Sequence, residues 1–412
     1  MSGPLRLTDE EQGMLAGQAG PGAQKAMEIV VALGQIYGAR DLTPVSSVQV
    51  AGVSYKNLGG AGLEFLEEWA VQGARARVPA TLNPAGLDLE SWRELGFSEA
   101  FARSQQRVIA AYEALGVAPI CTCTPYLVGY VPKFGQHLAW AESSAVSYAN
   151  SLLGARTNRE GGPSALAAAI SGRTARYGLH LDENRLATAR VDVQVDIKSE
   201  ADLGALGYQV GRLVKNRVPY FRFRQPPSRD WEWKALGAAM AASGAVALFH
   251  VEGVTPEAQE GDMLAAGASA LLVDSLQEGY RALNGPVKQI DLVSLGCPHA
   301  SLNEVQAVAD YLEGKRARSA LWITTARATR QAAQAAGLVA RIEAAGGWVV
   351  ADTCLVVAPV HELGFRTMAT NSAKMAAYAP AHSGLTVRFG SMSQCLDAAL
   401  AGRWTVRTEG RD

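Results

Sequence analysis

Apolar positions in the first part of the chain follow helical and strand periods by turns. Thr8-Asp9-Glu10-Glu11 sets a hydroxyl at a helix start and a carboxylate three residues on, the spacing of a capping box. Met27, Val30, Val31, Leu33 and Ile36 then recur at helical spacing and predict a helix from Pro21 to about Tyr37. Residues 47–55 alternate as a strand does and run into Gly59-Gly60-Ala61-Gly62, a glycine-rich turn opening a helix, where backbone N–H groups can hold an anion. Residues 75–88 read as a strand ending in turn residues, 89–115 as two helices, and 117–126 as a short strand that points Cys121 and Cys123 toward one face. An Ala-rich helix over 164–170 is entered through Gly161-Gly162-Pro163, with proline where its missing N–H costs nothing.

Beyond Val191 the period becomes that of an α/β protein. Strands are predicted over 191–197, 245–253 and 268–274, and helices over 201–214 and 233–243. The last part is cleaner: strand patterns at 289–297, 319–326, 347–354 and 385–390 alternate with helices at 302–315, 329–345 and 393–401, which implies a mostly parallel sheet. At 412 residues the chain exceeds what one core fills, so three α/β parts are expected, over 1–185, 186–288 and 289–412.

Charge narrows the partners. A net charge of -1 leaves no excess of Lys and Arg for a phosphate backbone or an anionic membrane, so neither nucleic acid nor membrane is expected. The N-terminus lacks the basic flank and apolar block of a signal peptide, and the apolar runs are too short to span a bilayer, which points to the cytoplasm. In a reducing compartment five cysteines are not a disulfide scaffold, so thiols that matter bind metal or catalyse.

Cys297 and Cys354 each follow a strand of the parallel sheet, where ligands of α/β proteins collect, and Cys123 also ends a strand pattern. Three thiols on separate strand ends can hold three corners of an iron–sulfur cluster and leave one iron open. Zinc held by Cys3His is a second option, because His299 lies two residues past Cys297. A nucleophilic Cys with a His base and three unrelated core thiols remain as further options. Cys121 and Cys395 read as structural, although Cys121 is near enough to replace Cys123.

Arg156, Asn158, Arg159 and Glu160 precede Gly161-Gly162 and a helix start, a combination suited to a carboxylate or to a salt-bridged surface loop. Glu142-Ser143-Ser144 and His137 fall within helical reach of one another, and Lys374 stands among small residues. Each also fits a purely structural role. The remaining histidines receive no role.

The segments TCTPY (122–126), AESSAVSYANSLLGARTNREGGPSALAAAISGR (141–173), SLGCPHAS (294–301), ADTC (351–354) and TNSAKMAAYAP (370–380) together resemble the aconitase X family along nearly the whole chain. The resemblance implies an aconitase-like architecture of several subdomains and a hydro-lyase with an iron–sulfur cluster, two-iron or four-iron. The ligand positions match Cys123, Cys297 and Cys354, and the substrate-facing positions match Ser54, Asn83, Pro84, Arg156, Asn158, Arg159, Glu160, Gly161 and Gly162.

Members of the family carry a small swivelling domain, fused or separate, that supplies a serine to the site. This chain ends at RTEGRD with no room for it, so a separate small subunit is expected and the chain alone should be inactive. Glu142, Ser143 and Lys374 are the candidate catalytic groups, with the base coming from Glu142, Lys374 or the partner's serine. The nearness to bacterial members favours cis-3-hydroxy-L-proline as substrate, with mevalonate 5-phosphate as the alternative. A non-catalytic, metal-stabilised binding subunit is the reading from another class.

Overall fold

The computed structural model describes residues 5–227 and 233–405; the terminal RTEGRD lies outside them. The helix Asp9–Leu15 begins with the expected capping box, in which the Glu11 carboxylate accepts from the Thr8 amide and Thr8 Oγ1 accepts from the Glu11 amide. The helix Pro21–Ile36 follows as predicted. Three parallel sheets then appear in chain order. The first runs Ala80–Leu82, Val48–Val50, Ala139–Trp140; the second His250–Val251, Pro219–Phe223, Ala187–Val193, Leu264–Val273. The third has five strands in the order Gly347–Ala351, Ala320–Thr325, Leu292–Ala300, Thr367–Thr370, Thr386–Phe389. All pairings in these three are parallel, and an antiparallel pair, Leu42–Pro44 with Arg173–Ala175, completes the sheets among the described residues. The fold is α/β with mostly parallel sheets.

Several predicted elements differ, each for a local reason. The strand expected over 117–126 does not form. Pro119 and Pro125 remove ladder donors, and only Ala118 bridges to Thr81, so Cys121 to Thr124 lie in irregular backbone. A single helix, Glu99–Ala114, replaces the two expected over 89–115, because the Asp88 carboxylate takes the amides of Glu90 and Ser91 and holds that segment as turns. Over 245–253 only His250–Val251 pairs; Ser151 Oγ accepts from the Phe249 amide and Asn150 donates to the Ala247 carbonyl, so side chains satisfy the backbone there. The helix expected over 329–345 is split by Gly337 in left-handed geometry. The glycine-rich 59–62 segment lies inside the helix Tyr55–Val71, which kinks at Gly59 with φ 66°.

A strand of the third sheet, beside its central strand, and the helix that follows it were not revealed by the pattern. Thr367–Thr370 is covered on both faces, so it shows no alternation, and Pro380 interrupts the reading of the helix Ala373–Ser383. That helix carries Lys374. One apolar core crosses all three sequence regions, joining Leu87, Trp92 and Phe97 to Val191 and Phe221 and to Met368 and Val387. Cys297 and Cys354 sit in this shared core.

Candidate functional site

Three segments far apart in sequence end at one cavity of about 190 Å³. The irregular run after Pro119 brings Cys123, the strand Leu292–Ala300 brings Cys297, and the turn after Gly347–Ala351 brings Cys354. Glu142 and Ser143 enter at the start of the helix Ser143–Leu152, and Lys374 at the start of Ala373–Ser383. Asn83, Pro84, Arg159, Val357 and Tyr378 also line it. All three thiols are buried and free. The backbone before Cys297 admits only glycine: Gly296 has φ 89°, and a Cβ there would lie 2.1 Å from the Thr324 carbonyl oxygen.

Alternation misplaced Cys121. Without the strand, its side chain turns from Cys123 into the core of the first region and the edge of a second cavity, beside Arg327 and Asp352. Cys395 is buried in the core behind the third sheet, as a structural thiol.

Glu142 caps its helix with its own carboxylate. Oε2 accepts from the Ala145 amide at 2.7 Å and from Ser144 Oγ at 2.5 Å, and Oε1 takes the Lys374 ammonium and Ser143 Oγ. Burial pushes the carboxyl up, but the Lys374 charge and these hydrogen bonds outweigh it and hold Glu142 below the usual range. Burial alone would lower Lys374; the negative charge of Glu142 and the nearby thiols raises it instead, so it remains an ammonium. The Glu142 carboxylate thus holds Lys374 as a cation at the cavity.

The thiols are electrostatically distinct. Burial pushes Cys123 up to about 12, with the Glu142 charge adding to it and Lys374 and the His299 amide opposing. The hydrogen bond between Cys297 and Cys354 lowers the pKa of Cys297, and the same bond, with burial, raises that of Cys354.

His299 is fully buried, and both of its ring nitrogens are engaged. Nε2 donates to the Thr353 carbonyl oxygen at 2.8 Å, and Nδ1 lies 2.9 Å from Thr122 Oγ1. Burial, only partly offset by the Thr353 bond, lowers its pKa to about 4, so the ring is neutral. A Cys3His zinc site would require His299 to give up one of these two bonds. Among the described residues no three His, Cys, Asp or Glu side chains are arranged to hold a single metal ion.

The other expected substrate positions divide. Ser54 does not line the cavity; its hydroxyl donates at 2.8 Å to the carbonyl of Val357, which does. Arg156 is ion-paired to Asp182, and Asn158 ties the carbonyl of Tyr177 to the amide of Leu179. Glu160 is buried against the Thr174 hydroxyl, with burial raising its pKa. Gly161 begins the helix Gly162–Ser171, and a Cβ on Gly162 would strike the carbonyl oxygen of Ala51, a lining residue. Of the Arg156–Gly162 run, Arg159 alone is among the lining residues. His137 shares no helix with Glu142; its Nδ1 meets His180 Nδ1 at 2.9 Å. Tyr378 was missed, although it lies one helical turn after Lys374 and so shares its face.

The profiles of the aconitase X first, second and third domains match residues 4–183, 187–273 and 290–401. The chain belongs to the aconitase X family. The phosphomevalonate dehydratase large subunit of Methanothermobacter thermautotrophicus is 54% identical over 93% of this chain and 96% of its own length. The cis-3-hydroxy-L-proline dehydratase of Pseudomonas aeruginosa is 39% identical over 98% of this chain and 71% of its own. The crystal structure of Thermococcus kodakaraensis aconitase X in its holo-form superposes with a TM-score of 0.89 at 46% identity, covering 96% of this chain and 100% of that one. This aconitase X chain is a dehydratase large subunit, a hydro-lyase. Identity favours the relatives named for mevalonate 5-phosphate, the reverse of the order expected from the sequence. No helix among the described residues is long and apolar enough to cross a membrane.

Proposed function

We propose that this chain is the large subunit of a mevalonate 5-phosphate dehydratase, that an iron–sulfur cluster rests on Cys123, Cys297 and Cys354, and that a small subunit completes the site. The observation that carries the reading is the meeting of these thiols with the Glu142–Lys374 pair at one cavity. The greater identity to phosphomevalonate dehydratase large subunits supports the substrate, and their being large subunits supports a small-subunit partner. The 36% and 39% identity to hydroxyproline dehydratases ranks that substrate second.

The donors suit a cluster. Three soft sulfurs lining one cavity fit a group that brings its own bridging sulfides. Lys374 and the His299 amide, which reaches Cys123 Sγ at 3.2 Å, offset thiolate charge. Asn83 Oδ1, buried and without a protein partner, leaves an acceptor beside the cavity for a ligand donor.

Dehydration removes a weakly acidic proton beside a carboxylate and expels hydroxide from the next carbon. A bound cluster with an open iron supplies Lewis acidity toward the departing hydroxyl. Lys374 stabilises negative charge as it develops on the substrate, and Glu142 keeps that ammonium in place. Arg159, exposed and lining the cavity, pairs with a substrate anion. With Lys374 protonated and Glu142 saturated by hydrogen bonds, the partner's serine is the better remaining candidate for the base.

Anaerobic reconstitution with the small subunit, followed by assay of both compounds, tests the reading. Turnover of mevalonate 5-phosphate with little on cis-3-hydroxy-L-proline is expected; the opposite preference overturns the substrate. Wild-type protein without iron and sulfide overturns the cluster.

A further inference from the structure

We infer that His299 is a positioning residue that fixes the three thiol-bearing segments relative to one another; the inference rests on the cluster reading above. His299 is two residues from Cys297, and its bonds reach the immediate neighbours of the other two thiols. Its ring joins Thr122, 177 positions away and adjacent to Cys123, and Thr353, 54 positions away and adjacent to Cys354. Its amide also donates to Cys123 Sγ. From the middle region, Lys234 donates to the His299 carbonyl oxygen at 3.0 Å while ion-paired to Glu304. One residue thus takes hold of all three regions of the chain.

The tautomer follows from the partners. A carbonyl oxygen can only accept, so Nε2 carries the hydrogen; in a neutral ring Nδ1 is then an acceptor, and the Thr122 hydroxyl must donate to it. Thr122 Oγ1 in turn accepts from the Thr124 amide at 3.1 Å, which shapes the turn that presents Cys123. No strand ladder holds that turn, so the polar links do what a sheet does elsewhere. His299 acts through the thiols and touches no substrate.

Three variants of the holoenzyme test this: His299→Ala, His299→Gln and Thr122→Val. The last keeps the volume and removes one bond. Outer-shell partners of metal ligands affect metal affinity by about 10–100-fold, so His299→Ala and Thr122→Val are expected to release iron to a chelator at least about tenfold faster than wild type. Their visible circular dichroism should also change shape, which a purely structural loss distant from the cluster would not cause. His299→Gln, with a side-chain N–H able to reach Thr353, should recover part of the difference. If His299→Ala does not fold, Thr122→Val decides alone. Wild-type release rate and spectrum in Thr122→Val, or in a folded His299→Ala, overturn the inference with the cluster intact. Wild-type protein lacking iron and sulfide overturns the reading beneath it.

Discussion

Two cavities lie where the first and third regions meet, and Cys121 and Cys123, two residues apart, open onto different ones. The second, about 380 Å³, is built around Arg327, which ion-pairs with Asp88, Glu90 and Asp352. These four charges serve one another: Asp88 and Asp352 also accept backbone amides, and the Asp352 carbonyl takes the Ala85 amide at 2.7 Å. The first cavity gathers thiols and leaves Asn83 Oδ1 unpartnered. A joint exhausts its polar capacity internally, whereas a site keeps some for a ligand.

Substitutions widen or close that contrast. The largest expected effect is that of Cys354→Ser, with iron content and dehydratase activity both lost; retention of either would put Cys354 outside the ligand set. Lys374→Met should lower kcat by on the order of 10²–10³, the cost of removing a preorganised charge donor, without removing iron. The same pair gives a pH signature. Because Glu142 is held below its ordinary value of 4.5, its contribution to stability is full above that pH and is lost as pH falls through the lowered folded value; Glu142→Gln should flatten the acid limb of a urea-midpoint profile.

Arg327→Met leaves three carboxylates without their cation, two of them buried, and should cost about 3 kcal/mol in urea unfolding while the cluster spectrum persists. A spectrum that changed with it would make the joint part of the site. Cys121→Ala is expected to be the mildest, at about 1 kcal/mol, with iron content unaltered. Iron loss there would exchange the roles of the two neighbouring thiols.

The third sheet was legible because its strands and helices alternate with clear periods, and four of its strands were read directly. Thr367–Thr370 was not, because a strand covered on both faces carries no polar alternation. The convergence of Cys123, Cys297 and Cys354 was anticipated from strand ends, yet Cys123 arrives on an irregular turn held by Thr122 and His299. The Glu142–Lys374 pair could not be seen, since 232 positions separate the partners. Most of the Arg156–Gly162 run looked like a ligand clamp and forms a local framework of caps and ion pairs. Both use the same residue types.

The sequence by itself determined the α/β class, the helix starts and the identity of the thiols, because periods, caps and residue chemistry are local properties. Tertiary structure decided which neighbours face which cavity and which charges neutralise each other. Those outcomes depend on backbone direction and on contacts between distant segments, and a change of direction over two residues is enough to send Cys121 and Cys123 to separate cavities.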